Sequence, residues 1–278
     1  MRWFNVRGFV LIVWVTIVTA AGTMTASGQN ELASRGATAG NPDAIFPVWP
    51  FRVGEEAEYD VTFGPVHIGR AHLRIEAEES IRETSTFRLA FEINGGIPVY
   101  KIDDRTVSWL ASNPYRSMRF EQVLREGGYR RHRRFELYHD VGTVTREDWD
   151  EEVGAYKAHP KHRDLPIPIG ALDEISYLYL IRTLPLEVGR TYTFNGYFED
   201  EGNPVVLEVL RRERVRVRSG TFKTIVVRPI IQADGLFSED GEAEVYISDD
   251  ERRLIVQLKT KMGIGEVNMY LRRFQVGA

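Results

Sequence analysis

The 278-residue chain contains no cysteine. That excludes a disulfide, a thiolate metal site and a lipidated N-terminal cysteine. It has no Gly-x-Ser-x-Gly elbow, so no local pattern marks an acyl-transfer nucleophile. Ser176 lies in an apolar run, and Ser219 and Ser248 fall at turns. Histidine is scarce, at six residues. His159 and His162 stand three apart near Asp164, but in a Pro-rich stretch that would not hold two rings on one face. His67 and His72 are an odd number apart, so a continuous strand would point them to opposite faces. The acidic run Glu147–Glu152 lacks the spacing and the glycine of an EF-hand loop. All three clusters are expected to be solvated, and no metal or other cofactor is expected. Positive charge is the minority, with 36 basic against 40 acidic residues and a net charge of −4. Nucleic acid is therefore a poor partner for the chain.

Long apolar runs are also missing, with one exception at the N-terminus. Arg2 and Arg7 precede a nearly unbroken apolar stretch, Gly8 to Ala21, and Ala26-Ser27-Gly28 offers small residues for cleavage. This reads as a secretory signal peptide over residues 1–28. The run spans about 14 residues where a membrane helix needs roughly 20; retention as an uncleaved anchor is the alternative. Cleavage would remove two arginines and leave 34 basic against 40 acidic residues, a net charge of −6. Residues 29–45, rich in Gly, Ala, Ser and Asn, read as a flexible tether. A folded domain is expected over 46–278, with no transmembrane span after cleavage and a periplasmic location, or a secreted one if the host lacks an outer membrane. Without disulfides it depends on its core, which is feasible at this length.

That domain is dominated by strand patterns. Ala57, Tyr59, Val61 and Phe63 alternate onto one face of Glu56–Phe63, and Ala71, Leu73, Ile75 and Ala77 do the same in the next segment. Further strands are expected at 87–93, 101–110, 115–126, 129–139, 141–149, 191–198, 205–217, 221–231, 242–248, 254–261 and 265–276. Turns fall at Gly64-Pro65, Gly127-Gly128, Asn203-Pro204, Ser219-Gly220, Asp234-Gly235, Asp249-Asp250 and Gly263. Lys157 to Ile169, with three prolines, reads as a loop. One stretch has helical character, Asp173 to Leu184. Asp173 suits the N-cap, Glu174 suits the positive end of the helix dipole, and Pro185 stops the helix. Its apolar residues leave no polar side, so it is expected to be enclosed, with Arg182 reaching for a carboxylate or the rim. The expected fold is mainly β: a large curved antiparallel sheet or barrel-like shell, or two linked half-barrels, around one buried helix. A short echo supports two halves, since Phe51-Arg52-Val53-Gly54-Glu55 leads into one strand much as Leu186-Glu187-Val188-Gly189-Arg190 leads into another.

Two basic segments are candidate ligand contacts. Arg212, Arg214, Arg216 and Arg218 would share one face of a strand at about 7 Å spacing, with Val215 and Val217 turned inward. Arg130, Arg131, Arg133 and Arg134 form the second. Arginine binds phosphates and carboxylates with a two-pronged fork, so the first ladder is a candidate anion-binding face. The competing expectation is pairing with carboxylates across the sheet, Glu199 and Glu201 for example.

Three stretches together resemble one family. Leu172 to Arg182 with Leu184-Pro185-Leu186 and Gly189, Ser219 to Thr224, and Val245 to Arg253 are similar to the exported bacterial proteins grouped as DUF3108, of unknown function. The opening Phe51-Arg52-Val53-Gly54-Glu55 adds to the likeness. Tyr246 stands where the family pattern has a Trp. The resemblance implies a signal peptide and a mostly β envelope domain, and it supplies no catalytic residues. The expected function is a non-catalytic envelope protein holding an amphipathic ligand, a lipid or acidic glycan, in a sheet concavity. The alternatives are an assembly partner for another envelope protein acting through strand edges, and a polysaccharide or ester hydrolase with dispersed carboxylates.

Overall fold

The computed structural model describes residues 49–158, 163–198, 201–231, 242–262 and 265–277. The expected signal peptide and tether, His159, His162, Glu199, the Asp234-Gly235 turn and Gly263 lie outside the described residues. Fifteen strands form one antiparallel sheet. The first eight are β1 (Glu56–Phe63), β2 (Val66–Ile81), β3 (Thr84–Ile97), β4 (Tyr100–Ser112), β5 (Tyr115–Glu126), β6 (Tyr129–Tyr138), β7 (Thr143–Asp150) and β8 (Ala155–Ala158). The two-residue β9 (Leu165–Pro166) pairs with β7. After the helix come β10 (Thr191–Phe198), β11 (Glu201–Val217), β12 (Gly220–Ile231), β13 (Glu242–Ser248), β14 (Ile255–Met262) and β15 (Gly265–Gln275). Sequential hairpins run β1 to β8 and β10 to β15, and β15 pairs with β1 to join the two runs. The halves are thus one continuous open sheet ending in β8 and β10.

Two expected boundaries are corrected. Asn203-Pro204 is not a turn, because β11 runs through it and Pro204 pairs with Asn195 of β10. Among the described residues β12 joins β11 from Val205 onward, so at Pro204 no described strand faces the missing N–H. The 157–169 loop also holds the end of β8 and all of β9.

The helix α1 covers Glu174–Leu180 and tightens into a 3-10 turn over Ile181–Thr183. It is shorter than expected because Leu184, ahead of Pro185, is already extended at φ −77°, ψ 147°. Asp173 caps it as expected, its Oδ1 accepting from the Ile175 and Ser176 N–H groups at 2.9 and 2.8 Å. Every residue of α1 is buried. Four or five large side chains at about 2 kcal/mol each make this burial comparable to the stability of a whole domain. Arg182 does find its carboxylate. Its Nη1 and Nη2 donate to the two Glu55 oxygens at 2.6 and 3.0 Å, and Nε donates to the Arg253 carbonyl at 2.9 Å. Phe51 and Tyr179 flank the guanidinium at 5.0 and 5.3 Å.

The two faces of the sheet differ. Tyr59, Val61, Leu73, Ile75, Leu89, Phe91 and Ile93 line the inner, concave side with α1, all within one apolar core. The outer face carries alternating charges. Arg74 bridges Glu56 and Glu92, Arg105 bridges Glu92 and Glu76, and Arg134 reaches Glu147.

Candidate functional site

The inner face of β4, β5 and β6 is built by register. Thr106 stands beside Gln122, which stands beside Arg133; Ile102 stands beside Glu126, and Leu124 beside Arg131. At one end Ser108 donates to Asp173 Oδ2 at 2.7 Å and lies 2.6 Å from the Ser176 hydroxyl, while Ser117 accepts from the Asp173 N–H at 2.8 Å. These buried serines and Asp173 dock the helix. Their hydrogen bonds are spent on its N-terminus rather than poised for attack.

Toward the other end some polar groups lack partners. Asp104 uses Oδ1 to accept from the Arg125 N–H at 2.7 Å. Its carboxyl and that of Glu126 interact with each other, with the Tyr100 hydroxyl beside Glu126, while Thr106 Oγ1, Gln122 Nε2 and Arg131 Nη1 are buried with no hydrogen-bond partner among the described residues. Burial and then the charge of Asp104 push the Glu126 carboxyl up to about 8. Burial and then the charge of Glu126 lift the Tyr100 hydroxyl to about 12. An unpaired buried polar atom costs about 1–3 kcal/mol, so three of them beside a buried acid pair form a local demand for donors and acceptors. The sequence did carry a signal for this patch: Gln122 and Glu126 share strand parity with Phe120 and Leu124, which point inward.

The structure divides the predicted arginines. Arg212, Arg214 and Arg216 share the exposed side of β11, and Val215 is buried, as the alternation requires. Arg212 is neutralised by Asp249 at 3.0 Å. Arg216 and Arg218 instead line an open outer cleft of about 720 Å³ with Asp60, Thr62, His67, Arg70, Tyr270 and Arg272. The cleft forms because the β11–β12 turn lies against β15, where Ser219 donates through N and Oγ to the Leu271 carbonyl at 3.3 and 3.0 Å. Arg214 lies on the same strand face but outside that lining. The second basic segment is not a patch: Arg131 and Arg133 face inward, and Arg130 and Arg134 outward. The expectation for His67 is also corrected. A β-bulge opposite Val61 and Thr62 inserts Ile68, so His67 reaches the outer side and comes 3.6 Å from Asp60, while His72 on the same side reaches Glu56. Asp150 accepts from the Glu152 and Val153 N–H groups and from Lys157, so this part of the acidic run is an ordinary turn. No cluster of three or more metal-ligating side chains occurs among the described residues.

A family model described as a protein of unknown function, DUF3108, matches residues 58–272. The chain belongs to that family. No curated protein matches the chain. Among solved structures, a β-barrel-like protein of the domain of unknown function DUF1849 from Brucella abortus superposes with a TM-score of 0.52 at 11% identity, covering 82% of this chain and 99% of that one. This similarity concerns the fold alone. A Bacteroides fragilis protein described as exported, with a YmcC-like fold, gives a TM-score of 0.31 at 11% identity over 83% of this chain and 99% of that one. A Parabacteroides distasonis protein described as a lipoprotein gives 0.32 at 7% identity over 82% and 98%. These last two superpose too loosely to bear on the fold. Among the described residues no helix is long and apolar enough to cross a membrane.

Proposed function

We propose that this DUF3108 chain is a non-catalytic cell-envelope protein that holds an amphipathic ligand, a lipid or glycan, on the concave side of its sheet. The signal-peptide reading of residues 1–28 supports export. The observation that carries the reading is the concave face itself. The buried apolar residues Phe91, Ile93 and Leu124 run into the buried polar group Asp104, Gln122 and Glu126, where Gln122 Nε2 and the neighbouring Thr106 Oγ1 and Arg131 Nη1 have no partner among the described residues. Such a surface suits a molecule with one greasy and one hydroxyl-bearing end. Native mass spectrometry of protein taken from the envelope fraction tests this. A retained lipid or glycan at a defined ratio is expected, and repeated preparations carrying no added mass would overturn the reading.

One observation favours a second reading, assembly through a strand edge. The sheet ends in β10, and among the described residues the outer side of that strand is met by Leu172, which accompanies it at Asn195 and Gly196. An open edge is a template for an added strand. Crosslinking from Thr193 in envelope preparations separates the two: a specific protein adduct favours the edge, and its absence leaves the ligand.

A further inference from the structure

The cleft on the outer face is a separate site from the concave patch, and its charge is unbalanced. Glu58 is shared by three guanidiniums: Arg70 at 3.1 Å, Arg272 at 3.3 Å and Arg273 at 3.4 Å. Asp60 is shared by Arg272 at 3.1 Å and His67 at 3.6 Å. Arg216 from β11 and Arg218 from the turn after it make no ion pair with any described residue. Four guanidiniums thus line the cleft, of which Arg70 and Arg272 pair with Glu58 or Asp60 and Arg216 and Arg218 with neither. Elsewhere on the outer face Arg74 and Arg105 each meet two carboxylates, and Arg211 meets Glu244 and Glu213. Glu136 is likewise shared by Arg82, Arg119 and Arg134, so it is the unpaired Arg216 and Arg218 that set this cleft apart on a chain that is acidic overall.

Two features make this more than a solvated charged face. The cleft is concave, at about 720 Å³, and its walls belong to different elements: Arg216 from β11, Arg218 from the β11–β12 turn, Arg70 from β2 and Arg272 from β15. Guanidiniums arriving from separate elements can surround one group, whereas a ladder on a single strand cannot. Arg272 is also held at both ends by Glu58 and Asp60, with its side chain 21% exposed, so its fork is oriented before a ligand arrives. The wall includes Tyr270 and Val217, which leaves room for a non-ionic part of the ligand.

We propose that this cleft binds a phosphoryl group, with Arg216, Arg218, Arg70 and Arg272 as its cationic walls. A phosphate ester carries one or two negative charges and accepts paired guanidinium hydrogen bonds, so it offsets the excess that Glu58 and Asp60 leave. The group can belong to a lipid headgroup or to a soluble phosphate. The site does not depend on the concave-face reading, and either can fail without the other.

The test compares two double reversals along β11 and the turn after it, with the same charge change. Arg216→Glu with Arg218→Glu alters the cleft; Arg212→Glu with Arg214→Glu alters the same strand face outside it. Binding is measured by calorimetry with inorganic phosphate and by co-sedimentation with vesicles of phosphatidylglycerol in phosphatidylcholine, at fixed salt. The cleft reversal is expected to weaken binding by about tenfold or more, as loss of two charge-assisted contacts implies, and the control reversal by about twofold at most. Loss in both assays assigns the group to a lipid headgroup, and loss in the phosphate assay with no vesicle binding assigns it to a soluble phosphate. Equal losses in the two reversals, or no binding of either probe by the unaltered protein, would overturn the proposal. Arg218→Gln, a milder change at an exposed position, gives the same reading if the double reversal lowers the melting temperature.

Discussion

Gly54 and Gly189 lead into β1 and β10 with nearly the same backbone angle, φ 87° and 86°. Around Gly54 the N–H donates to the Ile75 carbonyl at 2.8 Å, the Ile75 N–H to Glu55 at 3.0 Å and the Glu55 N–H to Arg52 at 3.1 Å. Around Gly189 the corresponding bonds run from Gly189 to Val209 at 2.8 Å, Val209 to Arg190 at 2.9 Å and Arg190 to Glu187 at 3.0 Å. A β-bulge follows at the same place in each, after Ile75 and after Val209. The faint echo in the sequence is thus a repeated backbone unit. The side chains at matching positions do opposite work. Glu55 is buried and clamps Arg182, whereas Arg190 is exposed and makes a loose 3.9 Å pair with Glu187. One frame is used twice, and only the first copy clamps Arg182 with a buried carboxylate.

The strongest way to erase that asymmetry is to remove the helix from the core. Leu178 is buried among the side chains that fill the concavity, so Leu178→Asp places a charge where no partner exists and should abolish folding. A soluble variant with a cooperative melt would mean that the helix is not what separates the two halves. Next in size is the clamp. Glu55→Gln leaves the Arg182 charge buried without its carboxylate, and loss of one partner of such a pair costs about 3–5 kcal/mol. The urea midpoint should fall accordingly at unchanged slope, while Arg190→Gln at the matching position should leave it in place. Smaller again are the glycines. Gly54→Ala and Gly189→Ala should each cost about 1–2 kcal/mol, since both force a side chain into the left-handed region. A Cβ at Gly189 would meet open space, so the cost there is backbone strain alone. Clearly unequal losses would break the equivalence of the turns.

Strand identity was legible because alternation places Tyr59, Val61, Leu73 and Ile75 on one face, and that face became the core. The helix was legible from Asp173 and Pro185. What alternation could not carry was anything set by a bulge or by a distant partner. Ile68 is one residue too many in β2, and it brings His67 to the side of Asp60. Asn203-Pro204 has turn composition, yet β10 holds it extended. The arginine face of β11 was visible, but not that Asp249 neutralises Arg212 while the curl of the sheet sends Arg216 and Arg218 into a cleft. Asp104 and Glu126 come together from strands 22 positions apart, and strand parity shows only that each points inward.

The smallest expected effect separates the halves by pH. In the first half Glu126 is pushed up to about 8 by burial and by Asp104. In the second half the Arg211 hydrogen bonds, opposed by partial burial, pull Glu244 down to about 2. The signs are opposite. Folded protein keeps the Glu126 proton that the unfolded chain releases near 4.5, so this group's contribution is complete below about 4.5 and is lost as pH rises toward 8. Glu244 is ionised in the fold where the unfolded chain would bind a proton, so its contribution is complete above about 4.5 and is lost as pH falls toward 2. Melting temperature against pH should therefore decline on both sides, through different strands. Glu126→Gln keeps a neutral donor beside Asp104 and should flatten the decline between pH 5 and 8 without changing the acid limb. Glu244→Gln should flatten the acid limb alone. If Glu126→Gln left the higher-pH decline intact, the acid pair would not hold its proton in the folded protein, and the decline would have to come from another group.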